Sequence, residues 1–200
     1  MIARWICAGL TTAFLAIFVL AGGAVSTRAD ETGTAIFAGG CFWCIEDAFD
    51  HVDGVAETIS GYAGGETPKP TYGSHKGYVE ALKVTYDPSK VSYAQLLDHY
   101  WRNIDPFDPS GQFCDKGSAY RTAVFVSNDE EKTLAESTKQ EIEKRFDKDV
   151  ATEIRQTTTF YPAEGYHQDY HEENPVSYEY YKWNCGRAQR LAEIWGDKSS

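Results

Sequence analysis

The pattern of apolar residues predicts a two-layer α/β sandwich on a mixed sheet, and three observations carry that reading. Short apolar or alternating runs recur at 34–38, 55–62, 78–86, 120–126 and 152–160. Segments of helical period lie between several of them. Glycine, proline, Asp-Gly and Asp-Pro punctuate the junctions. The 200 residues, 42% apolar and 24% charged, suffice for one buried core, so residues 30–200 read as a single domain.

The first strand, 34–38, ends at Gly39-Gly40. Phe42, Ile45, Phe49 and Val52 follow at helical spacing, with Glu46, Asp47 and Asp50 on other faces. Asp53-Gly54 turns into the second strand, and 64–77, with Pro68 and Pro70, reads as a loop. In the third strand Tyr78, Glu80, Leu82, Val84 and Tyr86 share one face, which places a carboxyl on the more apolar side. Asp87-Pro88 ends that strand, and Ser92 caps a helix over 92–101. The stretch 103–119 lacks periodicity and contains Pro106, Pro109, Gly111 and Gly117, the mark of a long functional or mobile loop. A strand at 120–126 precedes a helix that Asn128 and Glu131 open and that runs to Phe146. A last strand covers 152–160. From Pro162 the chain reads as aromatic-rich and irregular, with a helix at 187–195; residues 175–200 form a C-terminal extension.

The N-terminus reads as an address. Arg4 precedes a charge-free stretch from Trp5 to Thr27 that ends in small residues, which describes a secretory signal peptide over 1–24, cut after Ala24 or as late as residue 29. An uncleaved membrane anchor is the alternative, since the stretch is long enough to span a bilayer. Export, most simply to a bacterial periplasm, is the expectation. Cys7 would be discarded, leaving Cys41, Cys44, Cys114 and Cys185 in a compartment where thiols oxidise. A net charge of −11 with scattered Lys and Arg argues against a nucleic-acid partner.

The chemistry concentrates at Gly39-Gly40-Cys41-Phe42-Trp43-Cys44. Cys41 falls at a helix N-terminus, where unpaired amides and the macrodipole favour thiolate over thiol. Glu46 and Asp47 oppose that shift if they lie near the sulfur. Cys44 follows one turn on, within reach of a disulfide once the turn relaxes. Inert buried thiols, a thioredoxin-like dithiol oxidoreductase and a zinc module using Cys41, Cys44, His167 and His171 are the competing readings. Glu80, buried on its apolar face, would resist ionisation and could donate a proton; a Glu paired with a cation is the bland alternative.

Six motifs occur in order: Gly40-Cys41-Phe42-Trp43; Gly61-Tyr62-Ala63-Gly64-Gly65; Pro70-Thr71-Tyr72; Glu80-Ala81-Leu82; Cys114-Asp115-Lys116-Gly117 with Tyr120-Arg121-Thr122; and Phe160-Tyr161 with Tyr166-His167-Gln168. Over 34–174 the chain thereby resembles the A-type peptide methionine-S-sulfoxide reductases. The resemblance implies a ferredoxin-like two-layer fold and an enzyme with no cofactor beyond an external thioredoxin-like reductant. It implies no metal. Cys41 would attack the sulfoxide sulfur, and Glu80 would give a proton or hydrogen bond to its oxygen. Tyr72 and Tyr120 would bind near that oxygen, and Asp115 would shape the polar side. Phe42 and Trp43 would receive the methyl group. A sulfenic acid on Cys41 would condense with a second cysteine, and the reductant would open that disulfide. The substrates would be oxidised proteins or peptides, or the free amino acid. A mature chain without methionine suits such a repair enzyme.

The chain departs from the family in places. Tyr78 stands where members usually carry His, and the loop between Tyr72 and Gly77 is short. Cys44 replaces a common Gly, and the tail carries Cys185 in Tyr-Lys-Trp-Asn-Cys-Gly rather than a Gly-rich sequence. Cys44, one turn away, is the first choice as resolving cysteine, Cys185 the second and Cys114 the third.

Overall fold

The structure, a computed structural model, describes residues 32–196. The signal-peptide and anchor readings therefore fall outside the described residues. Strand β1 (Gly33–Ala38) leads to α1 (Phe42–Asp50), β2 (Val55–Ala63), β3 (Val79–Tyr86) and α2 (Tyr93–Arg102). A hairpin of β4 (Gly111–Gln112) and β5 (Asp115–Lys116) precedes β6 (Ala123–Val126), α3 (Asp129–Phe146), β7 (Glu153–Gln156) and β8 (Tyr161–Pro162). Helices α4 (Tyr170–Glu173), α5 (Pro175–Asn184) and α6 (Arg187–Trp195) close the chain.

The main sheet runs β7-β6-β1-β3-β2-β8. Among the described residues only β6 and β7 pair in parallel; the other neighbours are antiparallel, so the sheet is mixed as expected. Its inner four strands, with α1 and α2, form the ferredoxin-like two-layer unit. The main core lies between sheet and helices. Phe37 of β1 stacks on Phe49 of α1 at 5.4 Å and on Tyr100 of α2 at 5.0 Å. Leu82, Leu96, Leu97 and Ile104 complete this layer with no exposed surface. Each such side chain contributes roughly 1.5–3 kcal/mol by leaving water. Smaller residues, Ala38, Val79, Ala81 and Ala123, fill the opposite face beside Phe125.

Capping follows the sequence. The Ser92 hydroxyl accepts from the Gln95 N–H at 3.3 Å while the Gln95 side chain accepts from the Ser92 N–H at 2.9 Å. Asn128 accepts from the Glu131 N–H at 2.9 Å.

Four expectations change. Tyr120 lies in a 3₁₀ turn (Ser118–Tyr120) rather than in the strand that follows. The stretch 103–119 is not structureless but holds the β4–β5 hairpin. The strand expected over 152–160 stops at Gln156, because its partner β6 ends at Val126, whose carbonyl accepts the Thr157 N–H at 2.8 Å as the last rung. A separate two-residue strand, β8, then joins β2 at the far edge. In the C-terminal part the helix expected at 187–195 is α6, and the stretch expected to be irregular holds α4 and α5. Pro175 sits at the first position of α5, and Gly186, at φ +65°, separates α5 from α6. The helical period was masked because α5 carries aromatics both inward (Tyr178) and outward (Tyr180, Trp183).

Candidate active site

The site grows from the turn between β1 and α1. Gly40 has φ +88°, and a Cβ there would lie 2.5 Å from Cβ of Gln112. The turn sets Cys41 at the cap position, where its carbonyl accepts the Cys44 and Ile45 N–H groups at 3.1 and 3.4 Å. Cys41 and Cys44 are only 7% and 5% exposed, covered by Tyr178 with Trp43, Tyr170 and Tyr181 around them.

That burial corrects the expected chemistry of Cys41. Desolvation pushes its thiol well up, and the neighbouring Cys44 and Glu80 add to the rise. The helix start does not outweigh them. Glu46 and Asp47 are not the opposing charges: Glu46 accepts from the Asp169 N–H, and Asp47 from Tyr178 and Lys182. Cys44 goes the other way, to about 7, chiefly through the hydrogen bond from the Cys41 thiol, then through the Arg187 charge and the Tyr178 hydroxyl. The two sulfurs thus form one dithiol that gives up a first proton near neutrality and keeps its second.

Glu80 is as the strand alternation foretold. It is 1% exposed, and burial raises its carboxyl to about 8. The Phe42 N–H donates to its Oε2 at 3.0 Å, which only partly offsets the desolvation. At neutral pH it is mostly a protonated acid.

A cleft brings together Cys41, Phe42, Trp43, Tyr72, Glu80, Asp115 and Tyr120, together with Tyr181. Its apolar side is rigid. The Trp43 indole stacks on Tyr170 at 3.8 Å, meets Tyr181 edge-on at 6.0 Å, and donates to His167 Nδ1 at 3.2 Å. Phe42 packs 4.9 Å from the His167 ring. On the polar side the Tyr72 and Tyr120 phenols are hydrogen-bonded. The Tyr72 N–H donates to Glu164 Oε1 at 3.0 Å, and Tyr62 donates to the other oxygen at 3.1 Å. Gln168 pins the floor by accepting from the Ser60 N–H at 2.9 Å and donating to the Ser60 and Ala163 carbonyls at 3.0 and 3.1 Å. Tyr78, in place of the usual His, points away and donates to the Thr67 carbonyl at 2.6 Å.

Cys185 is not beside Cys41. It is bonded to Cys114, 71 residues earlier, with the Cα atoms 4.8 Å apart. The zinc set fails to assemble: His167 serves Trp43, while His171 lies with Asp47 and His51. Sequence reasoning missed Tyr181, which donates to Asp115 and hydrogen-bonds Cys41. It also missed Arg187, buried at the start of α6 with its charge toward Cys44. The signal was the spacing of Tyr178, Tyr181 and Cys185 at i, i+3 and i+7.

A dithiol that ionises near neutrality, opened onto a protonated carboxyl, belongs to thiol-dependent reductases. The comparisons narrow the class. The peptide methionine sulfoxide reductase family profile matches residues 33–199, and the chain belongs to that family. It is 45% identical over 174 residues, 86% of this chain and 88% of the relative, to peptide methionine sulfoxide reductase MsrA 2 of Rhizobium meliloti. Among solved structures, reduced Mxr1 of Saccharomyces cerevisiae superimposes with a TM-score of 0.66 at 29% identity, covering 72% of this chain and 86% of Mxr1. Methionine sulfoxide reductase A of Corynebacterium diphtheriae gives 0.65 at 28%, covering 72% and 76%.

Proposed function

We propose that this enzyme reduces methionine-S-sulfoxide, in proteins or free, to methionine, with Cys41 as nucleophile. Cys41 of the dithiol lines one cleft with uncharged Glu80, and that carries the reading. A sulfoxide sulfur is a poor electrophile until its oxygen takes a proton. Glu80 supplies that proton, and the Tyr72 and Tyr120 hydroxyls hold the oxygen. The methyl group rests against Phe42 and Trp43. Because Cys41 and Cys44 share a proton, its transfer to Cys44 leaves the attacking thiolate on Cys41.

The sulfur–oxygen bond passes to Cys41, methionine leaves, and Cys41 becomes a sulfenic acid. The Cys44 thiol condenses with it, forming a disulfide and releasing water. Cys44 is the partner in this state because Cys114 and Cys185 already hold each other. A thioredoxin-like dithiol then takes up the oxidising equivalents and returns both thiols. Asp115, bonded to Tyr181, shapes the polar rim. No prosthetic group enters the cycle.

Export to a periplasm is the reading of residues 1–29. The charge-free stretch from Trp5 to Thr27 supports it, and so does the Cys114–Cys185 bond, since disulfides persist in oxidising compartments. Fractionation followed by N-terminal sequencing tests it; a chain that begins at Met1 would reject cleavage, and one found in the cytoplasm would reject export. The activity is tested with a peptide carrying methionine-S-sulfoxide and dithiothreitol. Methionine should form catalytically, and with Cys41→Ser not at all. Retention of activity in Cys41→Ser would overturn the assignment.

A further inference from the structure

The C-terminal end of α1, opposite the end that carries the dithiol, gathers a second group of polar side chains. Asp47, His51 and His171 present one ligand atom each, all within 4.8 Å of one another. Asp50 stands beside His171, with its Oδ2 3.3 Å from His171 Nε2. The two carboxylates are arranged alike. Asp47 uses Oδ2 to accept from Tyr178 and Lys182, at 2.7 and 2.6 Å, and turns Oδ1 toward His51 Nε2, 3.8 Å away. Asp50 uses Oδ1 to accept from Thr58 and turns Oδ2 toward His171. Each thus keeps one oxygen for the protein and aims the other at an imidazole.

His171 is the second observation. Its side chain is 6% exposed, and among the described residues neither ring nitrogen makes a hydrogen bond: Nε2 has only the Asp50 carboxylate, at 3.3 Å, and Nδ1 has no partner. Buried polar atoms are rarely left so. The charge of His171 acts on both Asp47 and Asp50; Asp50 also feels Asp169 and Glu172, and Asp47 feels Lys182. His51, by contrast, is 74% exposed and sits at the helix end, so the cluster is open on one side.

We propose that His51, His171 and Asp47 form a zinc site, with Asp50 holding the His171 ring. Two imidazoles and one carboxylate suit a borderline N/O-binding divalent ion, and zinc completes such a set tetrahedrally with water. Bonds of about 2.1 Å require ligand atoms roughly 3.4 Å apart; Asp47 Oδ1 and His51 Nε2 stand at 3.8 Å and all three ligand atoms lie within 4.8 Å of one another, so they draw together on binding. The exposed His51 supplies the small movement needed. The ion clamps α4 onto α1, and with it the start of α5, whose Tyr178 covers the dithiol. No step of sulfoxide reduction passes through it.

The experiment uses the full mature chain without affinity tags. Zinc should raise the unfolding temperature at one equivalent, where magnesium does not. Cobalt should bind with visible d–d bands and no thiolate charge-transfer band. His51→Ala, at an exposed position, should leave the metal-free unfolding temperature and the sulfoxide reduction rate unchanged while weakening zinc at least tenfold. Asp50→Asn should weaken it too. No zinc-dependent shift, an equal shift in His51→Ala, or a charge-transfer band placing the ion on Cys41 and Cys44 would each overturn the proposal.

Discussion

Glu80 and the two thiols set opposite limits on the working pH. The dithiol gives up its first proton near 7, and Glu80 ionises near 8. The profile of kcat/KM should therefore rise through about 7 and fall through about 8. Glu80→Gln keeps a hydrogen-bond donor but cannot titrate. It should erase the falling limb and slow the reaction about tenfold, less than the 10²–10⁴ that a full general acid supplies. The same residue governs stability. Its folded-state value lies above that of a solvated carboxyl, so its contribution is complete below about pH 4 and is lost as pH rises toward 8. Denaturant titrations should show Glu80→Gln equal to the wild type near pH 4 and more stable near pH 8, by on the order of a few kcal/mol. With no small-thiol reductant present, Cys44→Ser should yield about one methionine per enzyme molecule, because the sulfenic acid then has no adjacent thiol. Sustained turnover of that variant with a thioredoxin-like protein as the sole reductant would assign resolution to Cys185 or Cys114.

At the level of elements, two turns set the precision of the site. The Gly39-Gly40 turn delivers Cys41 to the head of α1, and Gly40 admits no side chain because its φ is +88° and Gln112 fills the space. Gly40→Ala should keep the far-ultraviolet dichroism of the fold while lowering kcat about 10²-fold, the usual result of a misplaced nucleophile. Helix α2 is remote from the chemistry but packs Tyr100 on Phe37 beneath that turn. Its capping box predicts that Ser92→Ala costs about 1 kcal/mol in urea unfolding with kcat unchanged.

For the whole molecule, the C-terminal helices decide who reaches the thiols. The Cys114–Cys185 bond ties the end of α5 to the β4–β5 hairpin, and α5 lays Tyr178 and Tyr181 over Cys41 and Cys44. The double variant Cys114→Ser/Cys185→Ser should lose about 2–4 kcal/mol, read as a lower urea midpoint. It should also be alkylated faster at Cys41, read by peptide mapping. Unchanged alkylation would show that α5 stays closed without the bond.

Much of this was legible along the chain. Period two in 78–86 placed Glu80 on the buried face, the Gly-Gly turn placed Cys41 at a helix start, and Ser92 and Asn128 marked their helices, because each depends on neighbours a few residues apart. Tyr72, Tyr120 and Asp115 entered through the motif resemblance, and the structure places them in one cleft with Cys41 and Glu80. Three-dimensional packing decided the rest. Whether Cys41 or Cys44 holds the charge depends on burial beneath Tyr178 and on Arg187, more than 140 residues away in sequence. The pairing of Cys114 with Cys185 depends on where α5 ends against a hairpin that sequence period could not reveal. Local sequence determines the direction in which a side chain leaves the backbone; ionisation and pairing depend on the solvent and charge that the folded chain brings to it.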